Sequence, residues 1–288
     1  MNLQGTGVAL VTPFKANKSI DFEGLGKVIN HCINGRVNYL VALGTTGETV
    51  TLSLEENQEV LDFTKKHNAG RVPLIAGFGG NDTALIVKQI NSFQLEGYSA
   101  ILSASPNYNK PSQEGIYQHY KQIALNSPLP IILYNVPSRT GKNMTASTTI
   151  RLAKDFEQII GIKEASNDLL QCMEIIRNTR PSFQLISGDD VHALPMISFG
   201  CEGVISVVAQ AIPSSFTNMV NSALAGEFKK ASELQFSFLD LVKLIFKENN
   251  PAGIKAALAH LNLCEDDLRL PLVPVSNELR NNIKSFFN

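Results

Sequence analysis

The sequence predicts a (β/α)8 barrel with a C-terminal helical extension. Eight short apolar runs recur along the chain, each followed by a turn rich in small residues, Gly or Pro and then by a longer helical stretch. The runs are continuous rather than alternating, as in parallel strands covered on both faces. The chain has 288 residues, 44% of them hydrophobic, so a large core can be buried. Barrels of this kind commonly occupy about 250 residues as one domain. The barrel is expected over residues 1–224 and the helical extension over 225–288.

The runs, in order, are GVALVTP near residue 7, YLVALGTTG near 39, VPLIAGF near 72 and SAILSASP near 99. PIILYNVP near 130, IIGIKEAS near 159, FQLISGDD near 183 and GVISVVAQ near 203 complete the set. Between them lie helices with recognisable ends. Ser53 and Glu56 form a capping box ahead of EENQEVLDFTKKHNA, and Gly70 reads as its stop. Asn81 or Asp82 caps the next helix, whose Ile86, Ile90 and Phe93 recur at helical spacing and which Gly97 is expected to end. Ser112 opens another. The stretch from Gly203 to Gly226 carries no charge, but Gln210, Pro213, Ser214, Ser215 and Asn218 argue for a buried strand and helix over a membrane span. From Ala225 the chain reads as helical, with a loop at RLPLVPVS.

Composition excludes several classes. A net charge of -1, a pI near 6.5 and the lack of any basic run argue against nucleic-acid and membrane-surface partners. Cys32, Cys172, Cys201 and Cys264 are scattered without a CxxC pair, so neither a zinc cluster nor a disulfide framework is implied. The opening MNLQGTGVALVTPF lacks the basic segment of a secretory signal, which points to the cytoplasm. His31, His67, His119, His192 and His260 show no ligand spacing. Asp189 and Asp190 are adjacent and point to opposite faces, with only His192 nearby, so no metal is expected.

Barrel chemistry sits at the C-terminal ends of the strands. The reactive side chains there are Thr12, Thr45, Thr46, Tyr134, Lys163 and the Gly188-Asp189-Asp190 segment, with Tyr108 and Arg139 in loops just beyond. In IIGIKEAS a period of two puts Gly161, Lys163 and Ala165 on one face and Ile160, Ile162 and Glu164 on the other. The bulky apolar pair suits the helix layer, so Lys163 faces the lumen, with Gly161 expected to leave it room. Burial disfavours an ammonium ion, and a neutral amine is what attack on a ketone requires. Tyr134 lies on the preceding strand, roughly 5 Å away. A phenol is a poor base at neutral pH without a hydroxyl relay, for which Thr45 and Tyr108 are candidates. The turn Gly44-Thr45-Thr46-Gly47-Glu48 presents hydroxyls and successive N–H groups that suit a carboxylate. Arg139 can bind a second carboxylate in bidentate fashion.

At these residues the sequence resembles the dihydrodipicolinate synthase family of pyruvate-dependent Schiff-base aldolases. The matching blocks are GTGVALVTPF, GTTGET, YNVPSRTG, GIKEAS, SGDD, GVISV, NPAGIKAAL and LRLPLVPVS, in order over nearly the whole chain. The resemblance implies condensation of pyruvate with L-aspartate 4-semialdehyde to 4-hydroxy-tetrahydrodipicolinate, on the route to diaminopimelate and lysine. It implies an imine on Lys163, proton transfer by Tyr134, and a relay through Thr45 and a Tyr108 supplied by a neighbouring subunit. Thr46 would hold the pyruvate carboxylate with backbone near Gly188 and Ile205, and Arg139 the aldehyde's carboxylate. It further implies a homotetramer and no metal or organic cofactor. N-Acetylneuraminate lyases and 2-keto-3-deoxy sugar-acid aldolases share the lysine, the tyrosine and the glycine-rich turn, but generally lack the arginine. A silent keto-acid-binding regulator would have no need of the relay. Lysine-inhibited family members carry histidines, a glutamate and an aromatic where this chain has Leu54, Asn57, Leu85 and Asn107, so weak or absent inhibition by lysine is expected.

Overall fold

The apolar runs form strands because alternate side chains have two apolar layers to enter. In the computed structural model, which describes residues 1–288, these are β1 (Gly5–Ala9), β2 (Tyr39–Ala42), β3 (Leu74–Gly79) and β4 (Ala100–Ala104). They continue as β5 (Ile131–Asn135), β6 (Ile159–Glu164), β7 (Gln184–Ser187) and β8 (Gly203–Ser206). All eight are parallel and close in chain order, β8 pairing with β1. Leu40, Ile101, Leu133, Ile162 and Leu185 point outward into the layer shared with the helices. Tyr39, Val41, Ile75, Leu102, Ile132, Ile186 and Ile205 point inward and fill the lumen. Gly7 is required by this filling, since a Cβ there would lie 2.1 Å from the Tyr39 ring.

The outer layer comprises α1 (Phe22–Asn34), α2 (Leu54–Asn68), α3 (Thr83–Ser92), α4 (Gln113–Asn126), the short α5 (Pro137–Thr140), α6 (Ala146–Asp155), α7 (Leu169–Asn178), the short α8 (Ala193–Ile197) and α9 (Pro213–Leu224). The uncharged stretch from Gly203 is thus β8 followed by α9. Beyond it lie α10 (Phe228–Phe246), α11 (Ala252–His260) and α12 (Asn277–Phe287). Phe238 of α10 stacks on Phe216 of α9 at 5.4 Å, which fastens the C-terminal helices to the barrel. No helix is long and apolar enough to cross a membrane.

The helix caps fall largely where the sequence places them. Ser53 and Glu56 complete a reciprocal capping box, and Ser112 accepts from the Gly115 amide. Of the two candidates before α3, Asp82 is the cap. One helix end agrees and one differs. α2 ends at Asn68 and two left-handed residues follow, Ala69 and then Gly70. α3 stops at Ser92, well before Gly97, because Phe93 turns extended and packs on Phe78 at 5.6 Å. The period of two also fails once. Between β5 and β6 the register shifts, Ile131 pairing with Ile159 but Ile132 with Gly161. Ile160 is the extra residue of this bulge and packs on the lumen cluster, not under the helices.

Candidate active site

Lys163 and Tyr134 are register partners on β6 and β5, so the pleat sends both side chains into the lumen at the same height. Lys163 is 5% exposed, and its Nζ lies 4.3 Å from the Tyr134 ring centroid. The room it occupies is not supplied by Gly161, as the sequence reading expected. A Cβ at Gly161 would meet the Gln184 carbonyl at 2.4 Å, so that glycine answers to the close approach of β7. Gly188 makes the space instead, since a Cβ there would fall 3.2 Å from Lys163 Cε.

The turn after β2 is held from three sides. Thr45–Gly47 forms a 3-10 turn, and Glu48 follows with φ of 53°. Thr12, on the segment after β1, donates its hydroxyl to the Gly47 carbonyl at 2.7 Å, which gives that residue an architectural task. Thr46 is buried, and its Oγ1 accepts from Asn250 Nδ2 at 3.0 Å. Glu48 turns away from the lumen and accepts from Lys255 Nζ at 2.5 Å and from the Arg269 amide at 3.2 Å. The side chains of Glu48 and Lys255 are 1% and 0% exposed. The Arg269 guanidinium also grips Glu56, in the capping box of α2, at 2.6 and 2.7 Å.

Arg139 lies exposed on α5, at the mouth. Its Nη2 makes only long contacts, 3.4 Å to the Asn250 carbonyl and 3.5 Å to Asn249 Oδ1, so its donors are available to an incoming anion. Lys163, Tyr134, Thr45, Thr46, Arg139 and Gly188 line one cavity of about 180 Å³, together with Asp189, Val207, Phe246 and Asn250. A second cavity, about 280 Å³, shares Thr45, Tyr134 and Arg139 and extends past Asn107 and Val50. Two sequence candidates stand apart. Ile205 is part of the lumen packing beside the cavity, whose wall there is Val207. Tyr108 is 86% exposed, with φ of 64°, and lines neither cavity.

Three acids near the site do different things. Asp189 accepts from the Val191 and His192 amides and opens the turn into α8. Asp190 points the other way and is buried, accepting from the Ser206 hydroxyl and from the Val207 amide at 3.2 Å. Burial pushes its carboxyl up to about 6. Glu164 follows Lys163 on the helix-facing side. It accepts from Asn135 Nδ2 at 3.0 and 3.1 Å, Gln171 Nε2 at 3.0 Å and the Ser166 amide at 2.8 Å. Burial raises its carboxyl too. Because Asn135 follows Tyr134 and Glu164 follows Lys163, this bond pins the two strands beside the reactive pair. No three His, Cys, Asp or Glu side chains converge as a metal set.

Asn250, Phe246, Lys255 and the Glu48 side chain help build the site, although no motif spacing marks them. One signal was present: Lys255 is the lone charge in AGIKAALA, a segment apolar enough to be buried. Chemically, the cavity combines an enclosed amine, a neighbouring phenol, a hydroxyl-bearing turn and a guanidinium at its mouth. That set can capture a ketone as an imine, move a proton and bind two carboxylates.

A family model described as the dihydrodipicolinate synthetase family matches residues 2–288. The chain is 48% identical over 274 residues to the 4-hydroxy-tetrahydrodipicolinate synthase of Parabacteroides distasonis, covering 95% of this chain and 92% of that one. The crystal structure of dihydrodipicolinate synthase from Aquifex aeolicus superposes with a TM-score of 0.95 at 38% identity, covering 98% of this chain and 96% of that one. The chloride-inhibited dihydrodipicolinate synthase of Acinetobacter baumannii, solved in complex with pyruvate, superposes at 0.96 with 36% identity, covering 99% and 98%.

Proposed function

The chain belongs to the dihydrodipicolinate synthetase family, and from that premise we propose that it is a Schiff-base aldolase condensing pyruvate with L-aspartate 4-semialdehyde to 4-hydroxy-tetrahydrodipicolinate. One observation carries the reading. Lys163 is enclosed beside Tyr134 in a cavity whose other walls offer Thr45, Thr46 and Arg139.

The steps follow from the chemistry of these groups. The Lys163 amine adds to the ketone carbon of pyruvate, and loss of water gives the iminium. Thr46 and the backbone at Gly188 receive the pyruvate carboxylate. The iminium draws electrons from the adjacent methyl group, which loses a proton and leaves an enamine. Tyr134 carries that proton. The enamine carbon attacks the aldehyde, whose carboxylate is held by Arg139, and the new alkoxide takes a proton back from Tyr134. Attack by the substrate's own amine on the imine carbon then releases Lys163 and closes the ring. The imine is the electron sink, so the reading calls for no metal or organic cofactor.

Thr45, which lines both cavities with Tyr134, is the residue this reading assigns to a proton relay. Tyr108 stands outside its own cavity, and the adjoining space past Asn107 suits a tyrosine arriving from a second copy of the chain. A homotetramer built from such pairs is the assembly this reading implies. Arg139 favours this substrate over the sugar-acid alternatives, whose lyases generally lack that arginine.

Borohydride reduction in the presence of pyruvate, followed by peptide mapping, tests the proposal. A pyruvate adduct on Lys163, absent in Lys163→Ala, is expected. Turnover that survives Lys163→Ala would refute it. Tyr134→Phe should keep the adduct and slow turnover by roughly 10²–10⁴.

A further inference from the structure

The barrel has one weak seam. β7 and β8 share a single residue pair, Ser187 with Val204, whereas every other neighbouring pair of strands shares three or more. On the side away from the cavity, the gap is bridged by the Glu202 amide and the Cys201 thiol, both donating to the Leu185 carbonyl. On the cavity side the ladder ends, and a side chain takes over. Asp190 accepts from the Ser206 hydroxyl with one oxygen and from the Val207 amide with the other. Ser206 Oγ in turn accepts from the Ala209 amide at 2.8 Å, so the acid also holds the turn after β8.

The two segments that Asp190 joins both border Lys163. One contains Gly188, where a Cβ would fall 3.2 Å from Lys163 Cε. The other carries Val207, which forms the cavity wall. Asp190 itself lines neither of the two cavities described above.

We propose that Asp190 is a positioning residue for keto-acid capture, bolting the end of β8 to the turn after β7 so that the Gly188 and Val207 backbones stay at a fixed distance from Lys163. The inference rests on the Schiff-base reading above. Stability alone does not account for a carboxyl here. Burial outweighs the hydrogen bonds from Ser206 and Val207, which favour the charged form. The charged groups acting on it are Lys163 from β6, which favours ionisation, and Asp189 from its own turn, which opposes it. The end of β8 presents the Ser206 hydroxyl, and the residue after it the Val207 amide. An asparagine has one acceptor oxygen, so it can keep one of the two bonds but not both.

The test is borohydride trapping against pyruvate concentration on the full chain, for wild type, Asp190→Asn and Ser206→Ala. Both variants should need about tenfold more pyruvate for half-maximal trapping on Lys163, the fold-change of one lost hydrogen bond. Their KM for the aldehyde should not change, and Asp190→Asn should melt no lower than wild type. Wild-type trapping should fall below about pH 6, and Asp190→Asn should lack that limb. Unchanged half-saturation in both variants overturns the inference. So does a parallel loss of both substrates together with a lower melting temperature. If Asp190→Asn does not fold, Ser206→Ala decides by the same half-saturation criterion. Wild type that traps no pyruvate at all defeats the aldolase reading instead.

Discussion

Removing Lys255 strands a carboxylate inside the protein. Lys255→Met deletes the ammonium that donates to Glu48 and to the Asp267 carbonyl, and it leaves Glu48 with the Arg269 amide as its one partner. Breaking a fully buried pair by removing one member costs about 3–5 kcal/mol. At roughly 2 °C per kcal/mol for a chain of this size, the melting midpoint should drop by about 6–10 °C. Glu48→Gln should cost less, because burial already weakens the hold of Lys255 on its proton and Glu48 is what opposes this. Without Glu48 the folded state sheds that proton more readily than the unfolded one, so this variant should gain stability as pH rises. The double variant, neutral on both sides, should lie closer to wild type than Lys255→Met does. Thermal melts of the four proteins form a double-mutant cycle. Strictly additive losses, or a Lys255→Met midpoint within 2 °C of wild type, would refute the reasoning. The same cycle reports on catalysis. Glu48 ends the turn that carries Thr45 and Thr46, so Lys255→Met should also raise the pyruvate concentration needed for half-saturation.

Arg139→Ala should leave the pyruvate adduct intact and raise the KM for the aldehyde by at least about tenfold, the worth of a charge-assisted pair at a site mouth; collapse of imine formation would show that Arg139 serves the first substrate. Lysine should inhibit weakly or not at all, since Leu54 and Leu85 are half exposed where a ligand ammonium would need polar partners; a micromolar inhibition constant in a steady-state assay would overturn this. Asp190 is raised from the usual 3.8 to about 6, so it contributes about 3 kcal/mol of stability below pH 4 that is lost as pH climbs through 6. Asp190→Asn should flatten that part of the stability curve, and an unaltered slope in chemical denaturation would assign it to another group.

The strand pattern and the reactive pair were legible because both follow from a period of two. IIGIKEAS places Lys163 in the lumen whichever helices surround it, and Tyr134 sits one strand earlier at matching depth. What failed was local geometry that depends on neighbouring strands. The bulge at Ile160 is set by pairing with β5, and the need for Gly161 by the path of β7, neither of which IIGIKEAS contains. The candidate set was incomplete for a related reason. Asn250, Lys255 and Arg269 reach the GTTGE turn from about 200 residues further along the chain, and no local spacing announces such a contact. Tyr108 was a relay candidate as a hydroxyl in the loop beyond β4, and only the family resemblance assigned it to a neighbouring subunit. Nothing in its own segment draws it toward Tyr134, and in this chain it stands in the open.

The packed floor beneath Lys163 turns the pocket into a cul-de-sac. Tyr39, Ile75, Ile132, Ile186 and Ile205 fill the lumen below it, and Arg139 stands at the open end, where both adjoining cavities meet it. On the Schiff-base reading, the keto acid has to reach the far end first, and the aldehyde then fills the doorway behind it. Order of addition then follows from traffic in a blind alley.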